Sequence, residues 1–263
     1  MPLVEYTHRD GLALLTLDVP PANCYSYEMM KELDAAILEA RFDPEVHVLV
    51  LSGAGGKFFC AGADIGMLRT ADPYFKYNFC LHANETLLRL EHTPKLVIAA
   101  LDGHCVGGGL EVALAADLRI ARSGSGKCGL PEVKLGVLPG TGGTQRLVRM
   151  VGKARAIELM ASGEVFDYAR AAELGLVNHV WEASDHDAFM AKVEEHARGF
   201  VPPARASRAV GLIKRACQTG ADLSLADGLA LERELQQRRF EGEDAREGLA
   251  AYLEKRDPAF LGK

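Results

Sequence analysis

Apolar positions along the chain alternate between two kinds of pattern. Leu12–Leu17, Val46–Leu51 and Leu96–Leu101 are short, almost unbroken apolar runs of strand length. Such runs suit strands covered on both faces. Between the first two, Met30, Leu33, Ile37 and Leu38 recur at helical spacing. Ser26 stands where a cap belongs and Glu28 lies in the first turn, so the pattern predicts a helix over Tyr27–Ala40. Strand, helix, strand in that order points to parallel pairing with a right-handed crossover. A helix over Phe75–Leu90 then leads through Pro94 into the third run.

Further on, the pattern predicts a strand over Leu118–Ala121 and helices over Thr144–Met150, Lys153–Ser162 and Ala169–Leu174. A last short strand is predicted over Val177–Trp181. Beyond Ala183 the strand signals stop. Helical patterns cover Phe189–Phe200, Ala204–Gln218 and Leu225–Glu254, the last interrupted near Gly242. Pro202-Pro203 is the best internal boundary. The class is α/β with a helical tail, and no sequence repeat is visible.

Two stretches escape these periods. Gly107-Gly108-Gly109 follows the third apolar run and opens a helix-like segment with Glu111 in its first turn. Glycine lets backbone amides approach a ligand, because no Cβ stands in the way. Free N–H groups at a helix start favour developing negative charge. A carboxylate beside such a turn can do proton chemistry while amides hold an oxyanion. The second stretch is Phe58–Ile65, which follows the Gly-rich turn Ser52–Lys57 and places small residues where backbone can line a pocket. Pro131-Glu132 then opens a Gly/Pro-rich loop that runs to Gly143.

Composition narrows the class. A length of 263 residues fits one large domain, or a domain with an appendage, and 48% hydrophobic with 25% charged residues is ordinary for a globular chain. A net charge of −6 disfavours a general nucleic-acid or anionic-membrane surface. No apolar run reaches membrane-spanning length, and the N-terminus lacks the basic-then-apolar order of a secretory signal. The six cysteines form no Cys-x-x-Cys pair and no zinc spacing with His, so the expectation is no metal and a reduced, cytoplasmic setting.

Several segments together resemble the enoyl-CoA hydratase/isomerase (crotonase) superfamily. They are Phe59-Cys60-Ala61-Gly62-Ala63-Asp64, Gly107-Gly108-Gly109-Leu110-Glu111, Pro131-Glu132, Leu138 through Leu147, and the end from Glu247-Gly248 to Glu254-Lys255-Arg256. Their order and spacing, over nearly the whole chain, carry the resemblance. It implies a crotonase-like spiral of repeated ββα units over residues 1–200. It also implies a C-terminal helical trimerisation region over 201–263, and homotrimers or dimers of trimers. The implied reaction is reversible addition of water to an enoyl-CoA, with coenzyme A as part of the substrate and no separate cofactor. By resemblance, the amides of Ala63 and Gly108 form the oxyanion hole. Glu111 activates water and Glu132 delivers a proton to Cα. The substrate contacts implied are Pro21, Ala22, Cys24, Ala61, Asp64, Ile65, Gly66, Gly107, Gly140 and, through its ammonium on phosphate, Lys255. Cys24 and Tyr25 depart from the commoner Asn-Ala-Leu-Ser pattern. Other acyl-CoA reactions of the superfamily are the alternative: double-bond isomerisation, or hydration of a branched, carboxylated or alicyclic enoyl-CoA.

Each feature also has a plain structural reading. A glycine triplet alone is most often a tight turn, and a Glu in a first turn is most often a dipole partner. The pairing with Pro131-Glu132 shifts both towards a site. Gly124-Ser125-Gly126-Lys127 lacks the spacing of a phosphate loop, and Gly140–Gly143 fails the dinucleotide pattern. His104 and Cys105 are neighbours on a strand and point to opposite faces, which suits no nucleophile pair. Relatives that bind RNA use a lysine-rich helix; here Tyr27–Ala40 has Lys31 alone against Glu28, Glu32, Asp34 and Glu39. No nucleic-acid partner is expected.

Overall fold

The three apolar runs lie at the centre of a six-stranded sheet in the computed structural model, which describes residues 1–263. With strands numbered along the chain, the order is β1 (Val4–Arg9), β2 (Leu12–Leu17), β3 (Val48–Gly53), β5 (Leu96–Leu101), β7 (Leu118–Arg122) and β10 (His179–Trp181). All pairings are parallel except the antiparallel β1–β2 edge. Every residue of β3 and β5 is buried. Successive side chains point to opposite faces, so these strands feed two cores. Leu49, Leu51, Val97 and Ala99 pack with α1 (Tyr27–Phe42) and α3 (Pro73–Glu91). Val48, Val50, Ile98 and Ala100 pack with Phe189, Val193 and Ala197 of α8 (His186–Arg198).

A second sheet has four strands of three residues each: β4 (Phe58–Cys60), β6 (His104–Val106), β8 (Lys127–Gly129) and β9 (Val165–Asp167). The chain passes from a long strand of the first sheet to a short strand of the second and then into helix. β3, β4 and α2 (Ile65–Thr70) make one such unit; β5, β6 and α4 (Gly108–Leu114) make the next. β7 and β8 begin a third, which continues through a 3-10 turn (Glu132–Leu135) into α5 (Gly143–Val151). This is the repeated ββα organisation. The site is built from the strand-to-helix corners of these units.

Two of the predicted helices show how their caps form. Ser26 accepts from the Met29 amide at the start of α1. Asp72 accepts from the Phe75 amide and Pro73 occupies the first turn, so α3 starts two residues before the apolar pattern does. Four differences stand out. β1 is an edge strand with mostly exposed residues and no apolar run to mark it. β3 is shifted from Val46–Leu51 to Val48–Gly53; Val46 is buried, but its amide closes a turn on the Asp43 carbonyl. The segment after Phe58 contains a helix, α2, whose start is capped by Asp64. The loop after Pro131 contains the 3-10 turn, ended by Gly136 at φ 74°.

After Pro202-Pro203 the chain forms α9 (Ser207–Gly220), α10 (Leu225–Phe240) and α11 (Glu243–Glu254), the last two split at Gly242. α9 returns to the first sheet. Its Gly211 sits against the Pro94 carbonyl, where a Cβ has no room. Its Lys214 reaches inward to Asp117 at 2.9 Å.

Candidate active site

Gly107 begins the site. It follows β6 with φ 56°, a conformation open to glycine at little strain, and its amide donates to the Gly129 carbonyl at 2.9 Å. Its carbonyl then accepts from the amides of Leu110 and Glu111, which starts α4. The whole of α4 is buried, so Glu111 enters the interior at 2% exposure. Gly109 lies against the Cys60 carbonyl, where any side chain would collide. The glycine triplet is therefore required by close approach of β4 and by the left-handed turn.

The loop before α5 closes over Glu111. The Thr141 and Gly143 amides donate to Glu111 Oε1 at 2.8 and 2.7 Å, and the Thr141 hydroxyl donates to Oε2. An ionised carboxylate accepts at about four lone-pair positions. Three are taken, and one on Oε2 remains. Arg146 fixes this loop: it donates to the Thr141 carbonyl at 3.2 Å and forms a two-pronged ion pair with Glu91 at the end of α3. Such forked geometry holds orientation as well as charge.

Glu132 opens the 3-10 turn and reaches back to the same glycines. Its Oε1 lies 3.2 Å from the position a Cβ on Gly107 would take. Its Oε2 is buried with no hydrogen-bond partner. Burial, aided by the charge of Glu111 and opposed by Lys76, lifts the Glu132 carboxyl to about 7. A carboxyl placed there exchanges protons near neutral pH. The two glutamates, distant in sequence, converge on one turn.

The second strand of backbone comes from Ala61–Asp64. Ala61 donates to the Ala22 carbonyl at 3.0 Å, Tyr25 donates to the Gly62 carbonyl at 2.9 Å, and Asp64 donates to the Tyr25 carbonyl at 3.0 Å. Tyr25 and Ala63 thus form a parallel bridge. Asn23, buried, ties the same loop to the Val19 amide and to the carbonyls of Ala54 and Phe58. Gly62 abuts Gly108: a Cβ on Gly62 would be 3.0 Å from the Gly108 nitrogen. The amides of Ala63 and Gly108 are not among the backbone donors of the turns and caps around them.

The other residues singled out in the sequence are distributed as follows. Pro21, Ala22 and Cys24 line the loop joined to Ala61–Asp64, with Pro21 exposed and Ala22, Cys24 and Ala61 half-buried. Burial and the nearby Asp64 charge raise the Cys24 thiol. The Asp64 carboxylate caps α2 by accepting from Met67 at 2.6 Å, so its side chain serves the helix start and any substrate contact falls to its backbone. Ile65 and Gly66 are exposed on α2. Gly140 faces α3, with Cys80 Sγ 3.2 Å and Lys76 Nζ 4.0 Å from its Cβ position. Lys255 is exposed at the left-handed end of α11 and makes no side-chain hydrogen bond or ion pair with this cluster. Thr141, Gly143 and the Arg146–Glu91 pair were not foreseen as parts of the site. The Leu138–Leu147 stretch was a visible signal, but nothing local says that it folds over Glu111. No group of three or more His, Cys, Asp or Glu side chains is arranged to hold a metal ion, and no helix is long and apolar enough to cross a membrane.

Comparison with known proteins bears on the family and the fold. Residues 7–263 match the enoyl-CoA hydratase/isomerase family model. The short-chain-enoyl-CoA hydratase of Clostridium acetobutylicum is 38% identical over 246 residues, covering 93% of this chain and 92% of the relative. The mitochondrial methylglutaconyl-CoA hydratase of Rattus norvegicus is 36% identical over 264 residues, covering 99% and 83%. Among solved structures, an enoyl-CoA hydratase from Geobacillus kaustophilus superposes with TM-score 0.95 at 45% identity, covering 100% of this chain and 98% of that one. One from Bacillus anthracis superposes with TM-score 0.91 at 32% identity, covering 99% and 100%. With its crotonase fold and this run of similarity, the chain belongs to the enoyl-CoA hydratase/isomerase family.

Proposed function

We propose that the protein is an enoyl-CoA hydratase, adding water reversibly across the 2,3 double bond of an enoyl-CoA thioester. The observation that carries this is the proximity of the two carboxyls: Glu132 lies against Gly107, at the turn that starts the helix of Glu111, and feels the Glu111 charge, with one lone pair of Glu111 left open and the Glu132 carboxyl near neutrality. A water held by Glu111 gives its proton to that carboxylate as its oxygen bonds to Cβ. The double-bond electrons move onto the thioester oxygen. The Ala63 and Gly108 amides hold the resulting enolate; one such donor typically contributes about 3–4 kcal/mol. Glu132 then gives its proton to Cα as the enolate collapses. Glu111 is left protonated and Glu132 ionised, and one proton passing between them through water restores the start. Because the two carboxyls share that water, they titrate as a pair.

The coenzyme A portion runs along Pro21, Ala22, Cys24 and the backbone of Ala61–Gly66, with Gly107 and Gly140 against the acyl end and Lys255 reaching phosphate. No cofactor beyond the substrate's own coenzyme A is required. A reduced, cytoplasmic setting suits the six free cysteines. A homotrimer, or a dimer of trimers, accounts for the large apolar side chains exposed on α10 and α11: Leu225, Leu229, Phe240, Leu249, Tyr252 and Leu253.

The test is a panel of short, medium, branched, carboxylated and cyclic enoyl-CoAs. Loss of conjugated-thioester absorbance with a mass gain of one water establishes hydration. An unchanged product mass establishes isomerisation instead. Hydration that survives in Glu111→Gln or Glu132→Gln removes the two-carboxylate mechanism.

A further inference from the structure

Tyr25 stands where the commoner pattern has an apolar residue, and it is fully buried. Its ring stacks on Phe79 with centroids 5.8 Å apart. Its hydroxyl fills the space in front of Gly108, where a Cβ would collide with it, and lies 3.1 Å from Thr141 Oγ1. The direction of that bond is fixed by counting hydrogens. Thr141 has one hydroxyl hydrogen and donates it to Glu111 Oε2. Its oxygen can therefore only accept from Tyr25. The chain runs Tyr25 O–H to Thr141 Oγ1, then Thr141 O–H to Glu111 Oε2. Burial and the charge of Glu111 hold the Tyr25 phenol well above its ordinary range, so it remains a donor throughout the working pH.

We propose that Tyr25 is a positioning residue for the reaction: through Thr141 it orients the one Glu111 oxygen that still has a free lone pair, and by packing on Gly108 it fixes that oxygen relative to the oxyanion amide. This rests on the reading of Glu111 as the group that holds the attacking water. Hydroxyl chains polarise along their length, so a Thr141 hydroxyl that accepts from Tyr25 is a stronger donor to Glu111. Without the Tyr25 hydrogen, the Thr141 hydroxyl loses its partner on one side and becomes a weaker, less directed donor to Oε2, while Oε1 stays on its two amides. No other buried side-chain group bonds to Glu111. Tyr25 thereby links Glu111, the loop at Thr141 and the Gly108 corner in a single contact.

The experiment compares Tyr25→Phe, Thr141→Val and Thr141→Ser in the full chain, by kinetics and by infrared difference spectroscopy. Tyr25→Phe keeps the stacked ring and Thr141→Val keeps the shape, so both are expected to fold; melting curves check this. The carboxylate bands of Glu111 are isolated by subtracting Glu111→Gln. Expected are shifted bands and a kcat about 10- to 100-fold lower in Tyr25→Phe and Thr141→Val, with KM within about twofold and Thr141→Ser close to the parent. The double variant should be no worse than the poorer single one, because one chain is broken either way. Unshifted bands in Tyr25→Phe overturn the proposal. So does a parental kcat, or a loss that falls on KM alone. Shifted bands in a protein that hydrates no enoyl-CoA overturn the hydration reading and the catalytic part of this proposal, and leave only the hydrogen-bond chain.

Discussion

The Gly143 amide donates to Glu111 Oε1 at 2.7 Å, joining residues 32 apart in sequence. The same glycine leaves no room beside that oxygen. A Cβ there would lie 3.0 Å from Glu111 Oε1 and 2.9 Å from both Leu130 Cδ1 and Pro139 Cβ. Gly143→Ala should therefore push the carboxylate rather than remove it. We expect kcat to fall about 10- to 100-fold with KM little changed, since displacement of a reacting group by an ångström carries that scale of loss. Steady-state kinetics on the preferred enoyl-CoA checks it; an unchanged kcat would show that the loop yields instead.

Glu132 sets the pH dependence. Hydration uses its protonated form and dehydration its ionised form. With the carboxyl near 7, kcat/KM for hydration should be level in mild acid and decline as pH rises through about 7. Dehydration should decline through the same range, because it starts from the same singly protonated pair with the proton on Glu111, and the overall equilibrium takes up no proton. Lys76 holds the value down, so Lys76→Met should move both transitions upward. Paired pH profiles in the two directions decide the matter, because a shift of opposite sign would exclude Lys76 as the neighbouring cation.

The same group bears on stability. Its folded value of about 7 is above the ordinary 4.5, so the native state binds this proton more tightly than the unfolded chain. Stability from this residue is then highest below 4.5 and is lost as pH rises towards and beyond 7. Glu132→Gln removes the loss. The variant should match the parent in acid and exceed it at pH 8 by on the order of 1 kcal/mol, after allowance for solvent screening. Urea unfolding at both pH values measures the difference directly. Equal stability at pH 8 would mean that Glu132 is solvated in solution.

How much of this was legible in the sequence follows from the length of each signal. Leu96–Leu101 is buried on both faces and announces itself as a strand. The four strands of the small sheet have three residues each, too few to show any period. With half of every ββα unit hidden, the repeat was invisible without the family resemblance. Glu111 and Glu132 stood out because each adjoins a rigid turn, but their approach to one another is a product of the small sheet. Thr141 and Tyr25 were illegible for a different reason. Their roles exist only across 30 and 116 residues of separation, and a hydroxyl in a loop or a tyrosine after a turn has many commoner uses. Asp64 shows a different limit: its side chain satisfies the start of a helix that the local pattern does not announce.

Gly109 offers a test of the small sheet itself. Alanine is favoured over glycine inside a helix by about 1 kcal/mol. Here the added methyl would meet the Cys60 carbonyl, with the Cys60 carbonyl carbon at 2.7 Å and its Cβ at 2.9 Å. Those atoms belong to β4 and cannot turn away. The clash outweighs the helix preference, and Gly109→Ala should destabilise the fold by about 2–3 kcal/mol. Chemical denaturation measures it. A neutral result would mean that β4 and α4 separate at little cost.

Lys214 and Asp117 tie the C-terminal helices to the first sheet. The ammonium lies 2.9 Å from Asp117 Oδ2 and also donates to the carbonyls of Leu90 and Lys95, at 3.3 and 3.1 Å. Asp117 in turn accepts from the Val97 amide at 2.7 Å. Burial lowers the lysine and raises the carboxyl, each opposed by the partner's charge, so neither is comfortable alone. Lys214→Met should strand the buried carboxylate and cost about 3–5 kcal/mol. The penalty should shrink as pH falls, because protonating Asp117 removes the unpaired charge. Lys214→Met combined with Asp117→Asn should recover most of it, since the Val97 bond survives and no charge is left buried. Hydrogen exchange over Ser207–Gly220 separates two accounts of α9. If the single variant speeds exchange throughout that helix, the ion pair holds it to the sheet. If exchange is unchanged, the close contact of Gly211 with Pro94 is sufficient, and the helix remains docked with the charge pair dispensable.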